Sequence, residues 1–340
     1  MSFRYIGSKA RLVDQLGKFF GKPCSKDAYF IDAFCGTGSV AEAAAELGWN
    51  IRINDILYSA VITSEARLMS SHQVPFKNLG GYEKTIEKLN AVALEPGFIW
   101  RAYSPASLEF YGIERKYFSE NNAIKIDSIR RQIKEWKNSA MISNTEERFL
   151  IADLLKAANK IANIAGTFGC FLSKWTPQSQ GTLKLERRKL KDYNINIDIS
   201  IGDAFSVKNR IYDLVYLDPP YTKRQYASYY HILETISFGD EPKVEGVAGL
   251  RPWKDKASAF CYKRKALITL TNLVSVIQAK KILVSYSNDG HIKIDEMTEA
   301  FNKLGMVKVI SLGKINRYEP NKKRLKPISN VNEFLVEIKK

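Results

Sequence analysis

The 340-residue chain is 45% hydrophobic and 26% charged, so it can bury one large core or two moderate ones and reads as an ordinary soluble globular protein. Its longest apolar runs, such as 214–217 and 282–284, are too short to span a bilayer, and Met1-Ser2-Phe3-Arg4-Tyr5 carries no signal-peptide pattern, so a cytoplasmic protein is expected. Lys and Arg number 52 against 36 Asp and Glu, a net charge of +16, which favours a polyanionic partner because neutralised phosphates release condensed counterions.

In chain order, residues 9–20 carry an apolar stripe (Leu12, Val13, Leu16, Phe19, Phe20) and predict a helix with Ser8 as its N-cap. Residues 28–31 predict a short strand, Phe34-Cys35-Gly36-Thr37-Gly38 a turn, and 39–47 an Ala-rich helix stopped by Gly48. A second strand, 51–53, ends at Asn54-Asp55, completing a βαβ unit and implying a parallel sheet covered by helices. From 59 to 192 the alternation stops. Helical segments at 82–92, 123–136 and 145–164 dominate there, with 168–175 the one candidate strand, and we read an inserted, mainly helical target-recognition subdomain. Tyr111, Tyr117, Phe118 and Trp136 in it are assigned to its core.

Alternation resumes with strands at 197–201 and 212–217, helices at 229–237 and over much of 257–279, a strand at 281–286 and a helix at 294–304. Two late strands, 306–311 and 331–338, have no helix between them and should pair antiparallel at one sheet edge. The expected fold is α/β: a mostly parallel seven-stranded, Rossmann-like sheet with an antiparallel C-terminal hairpin. Residues 1–58 and 193–340 would form the catalytic domain.

Gly36-Thr37-Gly38, between strand and helix, lets backbone approach a ligand closely, and with Ala41 it satisfies G-x-G-x-x-A. Asp55, ending the next strand, is placed to accept hydrogen bonds from ribose hydroxyls. NAD and S-adenosylmethionine fit this pattern about equally. Tyr5-Ile6-Gly7-Ser8-Lys9, before the first helix, offers a Lys for the carboxylate of S-adenosylmethionine, and an NAD-dependent oxidoreductase would leave Asp218-Pro219-Pro220-Tyr221 unexplained.

That tetrapeptide follows an apolar strand and so lies at the carboxyl edge of the sheet, where open α/β folds bind ligands. An exocyclic aromatic amine is a poor nucleophile, since its lone pair is delocalised into the ring. The Asp218 carboxylate and the Pro219 carbonyl can accept both amine protons and free that lone pair, preorganised by the fixed φ of Pro219 and Pro220. Tyr221 supplies a flat face for a base flipped out of a duplex.

With these residues in place the sequence resembles the D12 class of adenine-N6 DNA methyltransferases, the Dam-like class, in its alpha group. The resemblance rests on Arg4-Tyr5-Ile6-Gly7-Ser8-Lys9, Asp32-Ala33-Phe34-Cys35-Gly36-Thr37-Gly38, Asn54-Asp55, Gly202-Asp203 and Asp218-Pro219-Pro220-Tyr221, in that order, with a long insertion before the last. Arg224-Gln225-Tyr226, Tyr230-His231-Ile232-Leu233-Glu234 and Ser285-Tyr286-Ser287-Asn288 bring it nearer to the FokI- and NlaIII-type modification methylases. It implies S-adenosylmethionine as cofactor, with Tyr5, Lys9, Asp32, Phe34, Cys35, Gly36, Thr37, Gly38, Asp55, Asp203, Ala204 and Asp218 around it. Asp55 would take the ribose and Asp203 the cofactor's adenine, while Asp218, Pro219, Pro220 and Tyr221 would handle the target adenine. It also implies double-stranded DNA as substrate and a companion restriction endonuclease. Cys35 and Thr222 depart from the family pattern. Cytosine-N4 or RNA methylation, or a non-catalytic DNA-binding role on the same scaffold, are the alternatives.

Charge adds DNA-binding candidates. The runs 251–265 and 314–326 are basic, each with one acid and interleaved aromatics, unlike a solvated helix face of mixed sign. Arg251, Lys254, Lys322, Lys323 and Arg324 are taken from them, and Arg224 and Gln225 from the loop after the tetrapeptide; Lys184, Arg187, Arg188, Lys189 and Lys191 form a further cluster. His231 is assigned to packing. The four cysteines (Cys24, Cys35, Cys170, Cys261) and three histidines (His72, His231, His291) are scattered, so neither a metal site nor a disulfide framework is expected.

Overall fold

A computed structural model of the chain describes residues 3–315 and 331–340. The chain divides into two compact units, one formed by Gly7–Ser64, Tyr193–Tyr226 and Lys256–Lys340, the other by Met1–Ile6, Glu65–Asp192 and Ala227–Asp255.

The first unit holds the sheet: β1 (Tyr29–Asp32), β2 (Asn50–Asp55), β3 (Ile197–Ile201), β4 (Leu214–Leu217), β5 (Lys281–Ser287), β6 (Met306–Ile315) and β7 (Val331–Lys339), in the order β3-β2-β1-β4-β5-β7-β6. β3, β2, β1, β4 and β5 are mutually parallel; β7 pairs antiparallel with β5 and with β6. This is the mostly parallel sheet with an antiparallel C-terminal pair read from the sequence. β4 and β5 are buried along almost their whole length, which is why they are uninterrupted apolar runs rather than alternating ones. On one face Ile31, Val215, Leu217, Ile282 and Val284 pack against Leu270 and Leu273 of helix Lys263–Val276 and against Met297 and Phe301 of helix Ile294–Asn302. Elsewhere in the core Phe20, Phe30 and Tyr216 form an aromatic cluster, with Phe20 and Phe30 centroids 4.7 Å apart.

The chain leaves β1 toward β2 and β3 on one side, and β4 toward β5 on the other. The strand order therefore reverses between β1 and β4, whose carboxyl ends flank the crevice in which open α/β sheets bind ligands.

Three local expectations change. The first helix is Val13–Phe20, with 9–12 in turns and Leu12 rather than Ser8 ahead of it; the Lys9 side chain is turned inward, as described below. β6 runs on to Ile315 through a bulge between Ser311 and Gly313, the latter at φ +88°. Residues 168–175 are turns and bends rather than strand, because their amides are used by neighbours: Phe168 N–H donates to Tyr229 and Leu172 N–H to Asn163.

The second unit is helical. Its longer helices are Glu120–Asn138 and Asn144–Ile161, the latter started by a reciprocal Ser143–Glu146 capping box. Of the four aromatics assigned to its core, Tyr117 and Phe118 are buried, whereas Tyr111 and Trp136 are only partly buried. Its boundary falls after Ser64 rather than after 58, and Ala227–Asp255, expected within 193–340, groups with it. Hydrogen bonds to the main chain explain that grouping. The Arg130 guanidinium donates to the Ile236 and Ser237 carbonyls at 3.0 and 3.3 Å. Arg115, 2% exposed, donates to the carbonyls of Ala102, Gly246 and Val247 at 3.1 Å each. His231 is fully buried, with Nε2 3.0 Å from the Phe168 carbonyl, and burial pushes its pKa down to about 3; it packs and does not titrate near neutrality. Among the described residues no helix is long and apolar enough to cross a membrane.

Because Arg115 satisfies the buried Ala102 carbonyl and the part-buried carbonyls of Gly246 and Val247, Arg115→Met should lower the unfolding free energy by about 1–3 kcal/mol, the scale of leaving a buried acceptor unpaired. Urea denaturation of the variant checks this, and a change below about 0.5 kcal/mol would show that those carbonyls find other partners.

Candidate active site

β1 delivers Asp32 to the crevice and turns into Ala33–Gly38. The turn is anchored on both sides: Ala33 N–H donates to the Tyr216 carbonyl of β4 at 3.2 Å, and Cys35 N–H to the Asn54 carbonyl of β2 at 2.9 Å. Gly36 and Gly38 sit at φ +50° and +76°, which L side chains rarely adopt. A Cβ at Gly38 would lie 2.4 Å from Ser64 Oγ and 2.7 Å from Ser64 Cα, so glycine is required there twice over. The helix Ser39–Glu46 starts directly from this residue.

Asp55 brackets the turn. One carboxylate oxygen accepts from Gly36 N–H at 3.1 Å and the other from Leu57 N–H at 3.0 Å. Asn54, quoted as part of a motif but given no role by the sequence, joins three strand ends. Its Nδ2 donates to the carbonyls of Ala33 and Gly202 at 3.2 and 3.1 Å, and its Oδ1 accepts from the Ser200 hydroxyl at 2.9 Å. Asp203 is exposed and caps the short turn Ala204–Ser206 through Phe205 N–H at 3.0 Å, with Ala204 buried beneath. Phe34 stands edge-on to Phe260 at 5.4 Å. Cys35 and Thr37 are buried, and burial together with Asp55 and Asp32 pushes the Cys35 thiol well up.

β4 delivers Asp218-Pro219-Pro220-Tyr221 one strand away. Pro219 is buried and Asp218 half-buried. The Lys9 ammonium, buried under the crevice, lies 3.3 Å from Asp218 Oδ1 and 3.0 Å from Glu333 Oε2 of β7, and 5.3 Å from the Tyr221 ring centroid. The Tyr221 hydroxyl reaches Glu333 Oε1 at 3.5 Å, and its ring leans on Tyr286 at 5.3 Å. Burial lowers the Lys9 pKa, but Asp218, Tyr221 and Glu333 outweigh it and hold the ammonium well above its ordinary value. Burial pushes Asp218 up to about 6, against the pull of Lys9 and with a push from Glu333. Burial, then Asp218 and Asp55, hold Asp32 well above the carboxylate range, and its buried Oδ1 has no hydrogen-bond partner among the described residues.

The structure thus gathers Lys9, Asp32, Phe34, the glycine turn, Asp55, Asp203 and the tetrapeptide in one unit. Some residues expected at the cofactor have partners within the protein. Lys9, expected at a cofactor carboxylate, faces two carboxylates of the protein itself. Tyr5 belongs to the helical unit, its ring stacked on Tyr230 at 4.3 Å. Glu333 was missed altogether; in the sequence it is one of two acids, with Glu337, in the late strand, and nothing local sets it apart.

The DNA-binding candidates separate. Arg251 is paired with Asp240 through both nitrogens, at 3.1 and 2.8 Å, and reaches Thr235, so its charge is spent inside its own unit. Gln225 exchanges hydrogen bonds with the Ser258 main chain at 3.2 and 2.8 Å and acts as a loop clamp. Arg188 is held by Asp153 at 2.7 Å. Arg224 is half-buried and Lys254 exposed; Lys322, Lys323 and Arg324 lie outside the described residues.

The profile of the D12 class N6 adenine-specific DNA methyltransferases matches residues 5–300. The chain is 32% identical over 344 residues to the type II methyltransferase M.FokI of Planomicrobium okeanokoites, aligning 99% of itself with 52% of that protein. It is 30% identical over 306 residues to the type II methyltransferase M.NlaIII of Neisseria lactamica, covering 88% of each, and 28% identical over 337 residues to M.CviAII of Paramecium bursaria Chlorella virus 1, covering 97% and 96%. The chain spans about half the length of M.FokI and of the modification methylase StsI of Streptococcus sanguinis. It belongs to the D12 class of N6 adenine-specific DNA methyltransferases.

Removing the ammonium from between two buried carboxylates should be costly. Lys9→Met is expected to lose about 3–5 kcal/mol of stability at pH 8, the range for breaking a buried pair. The loss should shrink at pH 5. Without Lys9 the folded-state pKa of Asp218 rises further, so stability recovers as protonation sets in below it. Denaturant unfolding at the two pH values measures this; equal losses would mean that Lys9 does not govern the ionisation of Asp218.

Proposed function

We propose that this D12-class chain transfers the methyl group of S-adenosylmethionine to the N6 amine of an adenine flipped out of duplex DNA. The observation that carries the reading is Asp218, a half-buried carboxylate at the carboxyl end of β4, paired with Lys9 and followed by Pro219 and the Tyr221 ring. The neighbouring turn fits the methyl donor. The partnerless buried Asp32 Oδ1 suits its ammonium, Asp55 its ribose hydroxyls and Asp203 its adenine amine. When bound, S-adenosylmethionine supplies a methyl group on a positively charged sulfur.

The protein's part is to make the amine nucleophilic. Asp218 and the Pro219 carbonyl accept its two protons, so the nitrogen lone pair leaves the ring and points at the methyl carbon. Taking up the methyl group would oblige the nitrogen to release one proton. Asp218, with its pKa pushed up to about 6, is the acceptor in reach. Tyr221 holds the base by stacking.

The helical unit is our candidate for reading the recognition sequence. The names of the relatives, two of them modification methylases, support a role in protecting host DNA, in the cytoplasm, from a companion restriction endonuclease.

Incubating the purified chain with methyl-labelled donor and unmethylated duplex DNA should place label in N6-methyladenine. Label in N4-methylcytosine or only in RNA would overturn the base or the substrate, and no label would overturn the activity. Asp218→Asn should cut the transfer rate by about 10²–10³-fold, the scale of losing one preorganised electrostatic contact. Since Asp218 must be ionised to accept the amine protons, the wild-type rate should fall as pH drops through about 6; a rate flat to pH 5 would remove Asp218 from that role. Tyr221→Ala should weaken binding of DNA carrying an extruded target base by about 1–3 kcal/mol, read by titration, and unchanged affinity would exclude stacking.

A further inference from the structure

Glu333 lies beyond the stretch that the family profile matches, which ends at residue 300, and no motif marks it. Yet it is only 6% exposed, and it faces the residues proposed to do the chemistry. Its place is set from both neighbouring strands. Against β5 it stands opposite Ser287, and the next residue, Asn288, clamps the entry of β7: Asn288 N–H donates to the Asn332 carbonyl at 3.1 Å, and Asn288 Oδ1 accepts from Asn332 N–H at 3.0 Å. Against β6 it stands opposite Gly313, at the bulge that breaks the register after Ser311. Bulges locally re-aim side chains. The Ser285-Tyr286-Ser287-Asn288 motif, unused by the chemistry above, thus serves to place Glu333.

Its carboxylate divides its two oxygens between Lys9 and Tyr221, at 3.0 and 3.5 Å. Lys9 is therefore shared by two carboxylates. Bound to Asp218 alone, the ammonium would cancel much of that carboxylate's charge and weaken it as an acceptor for the amine. A lysine side chain also has many rotamers to leave by. Glu333 removes both problems: it draws part of the positive charge to itself and fixes the ammonium beside Asp218 Oδ1.

We propose that Glu333 is a positioning residue for methyl transfer, acting through Lys9 to hold the Asp218 carboxylate in place and at full acceptor strength. The proposal rests on the methyl-transfer reading above. The titratable groups around Asp218 are Lys9 from the N-terminal segment, Asp32 from β1, Tyr216 on its own strand, Tyr221 in its own motif and Glu333 from β7. Of these, Glu333 raises and Lys9 lowers the Asp218 pKa. Loss of the Glu333 charge must therefore make Asp218 easier to ionise and less basic.

The test uses the full chain, single-turnover transfer rates across pH, and equilibrium binding of the methyl donor, for Glu333→Gln and Glu333→Asp. Glu333→Gln should slow transfer at pH 7.5 by roughly 10- to 100-fold, in line with loss of one preorganised contact. It should also move the acidic limb of the rate profile to lower pH, with donor affinity within about threefold, as expected of a group acting in the transition state rather than in binding. Glu333→Asp, which keeps the charge but not the reach, should lose less rate and keep the limb in place. A Glu333→Gln enzyme with unchanged rate and limb overturns the proposal. So does a loss confined to donor affinity, which would turn the Lys9–Glu333 pair over to the cofactor. Should Glu333→Gln fail to fold, Glu333→Asp decides alone: full wild-type rate overturns the proposal, and a reduced rate with unchanged donor affinity supports it. Failure of the wild-type chain to methylate DNA would instead strike the underlying activity, so the two failures are distinguishable.

Discussion

One ammonium, Lys9 Nζ, lies between Asp218 and Glu333, and much of the sheet-bearing unit is arranged to keep it there. Two carboxylates this close, at the end of β4 and on the antiparallel β7 of a buried mixed sheet, would otherwise repel in a medium that screens poorly. Asp32 responds to the same field: burial, then Asp218 and Asp55, make it protonate more readily than an ordinary aspartate. A buried charge needs its partner more than a surface one does, so this lysine ties the N-terminal segment to β4 and β7 at once. The same demand explains why residues 9–12 are turns: the main chain must deliver the Lys9 side chain inward before the helix can begin at Val13.

The sheet supplies the frame for this cluster. Reversal of strand order between β1 and β4 places the glycine turn and the Asp-Pro-Pro-Tyr motif on adjacent strands, and Ala33 bonds directly to Tyr216 across them. Asn54 locks the ends of β1, β2 and β3 together, so Asp55 and Gly202 keep a set distance from the turn. Ser64 packs so closely on Gly38 that no side chain fits there. Each of these contacts removes freedom from a group that must be in place before substrate arrives, which is what electrostatic catalysis requires.

The net positive charge has a different structural life from the one its sequence clusters suggest. Arg115 and Arg130 turn inward to cap carbonyls, and Arg188 and Arg251 are matched to Asp153 and Asp240, acids far away in sequence or outside the run that was counted. Charge runs count neighbours along the chain, whereas ion pairs form between neighbours in space. A guanidinium also satisfies several acceptors at once, which makes it a favoured buried cation.

The sequence by itself determined the strand and helix alternation, the seven-stranded sheet with its antiparallel end, the glycine turn, Asp55 and the Asp-Pro-Pro-Tyr motif, because hydrophobic periodicity and conformationally special residues are local signals. Burial in apolar strands and a requirement for positive φ are written into residue type. Only the tertiary structure decided that Lys9 faces Asp218, that Glu333, 115 positions later than Asp218 in the numbering, shares it, that Gln225 and Arg251 are already engaged, and that Ala227–Asp255 groups with the helical unit. These depend on which strand ends and side chains meet once the chain has closed on itself. The proposed amine chemistry was legible in four consecutive residues; Glu333, the partner we propose for it, sits on another strand, and no local pattern connects the two.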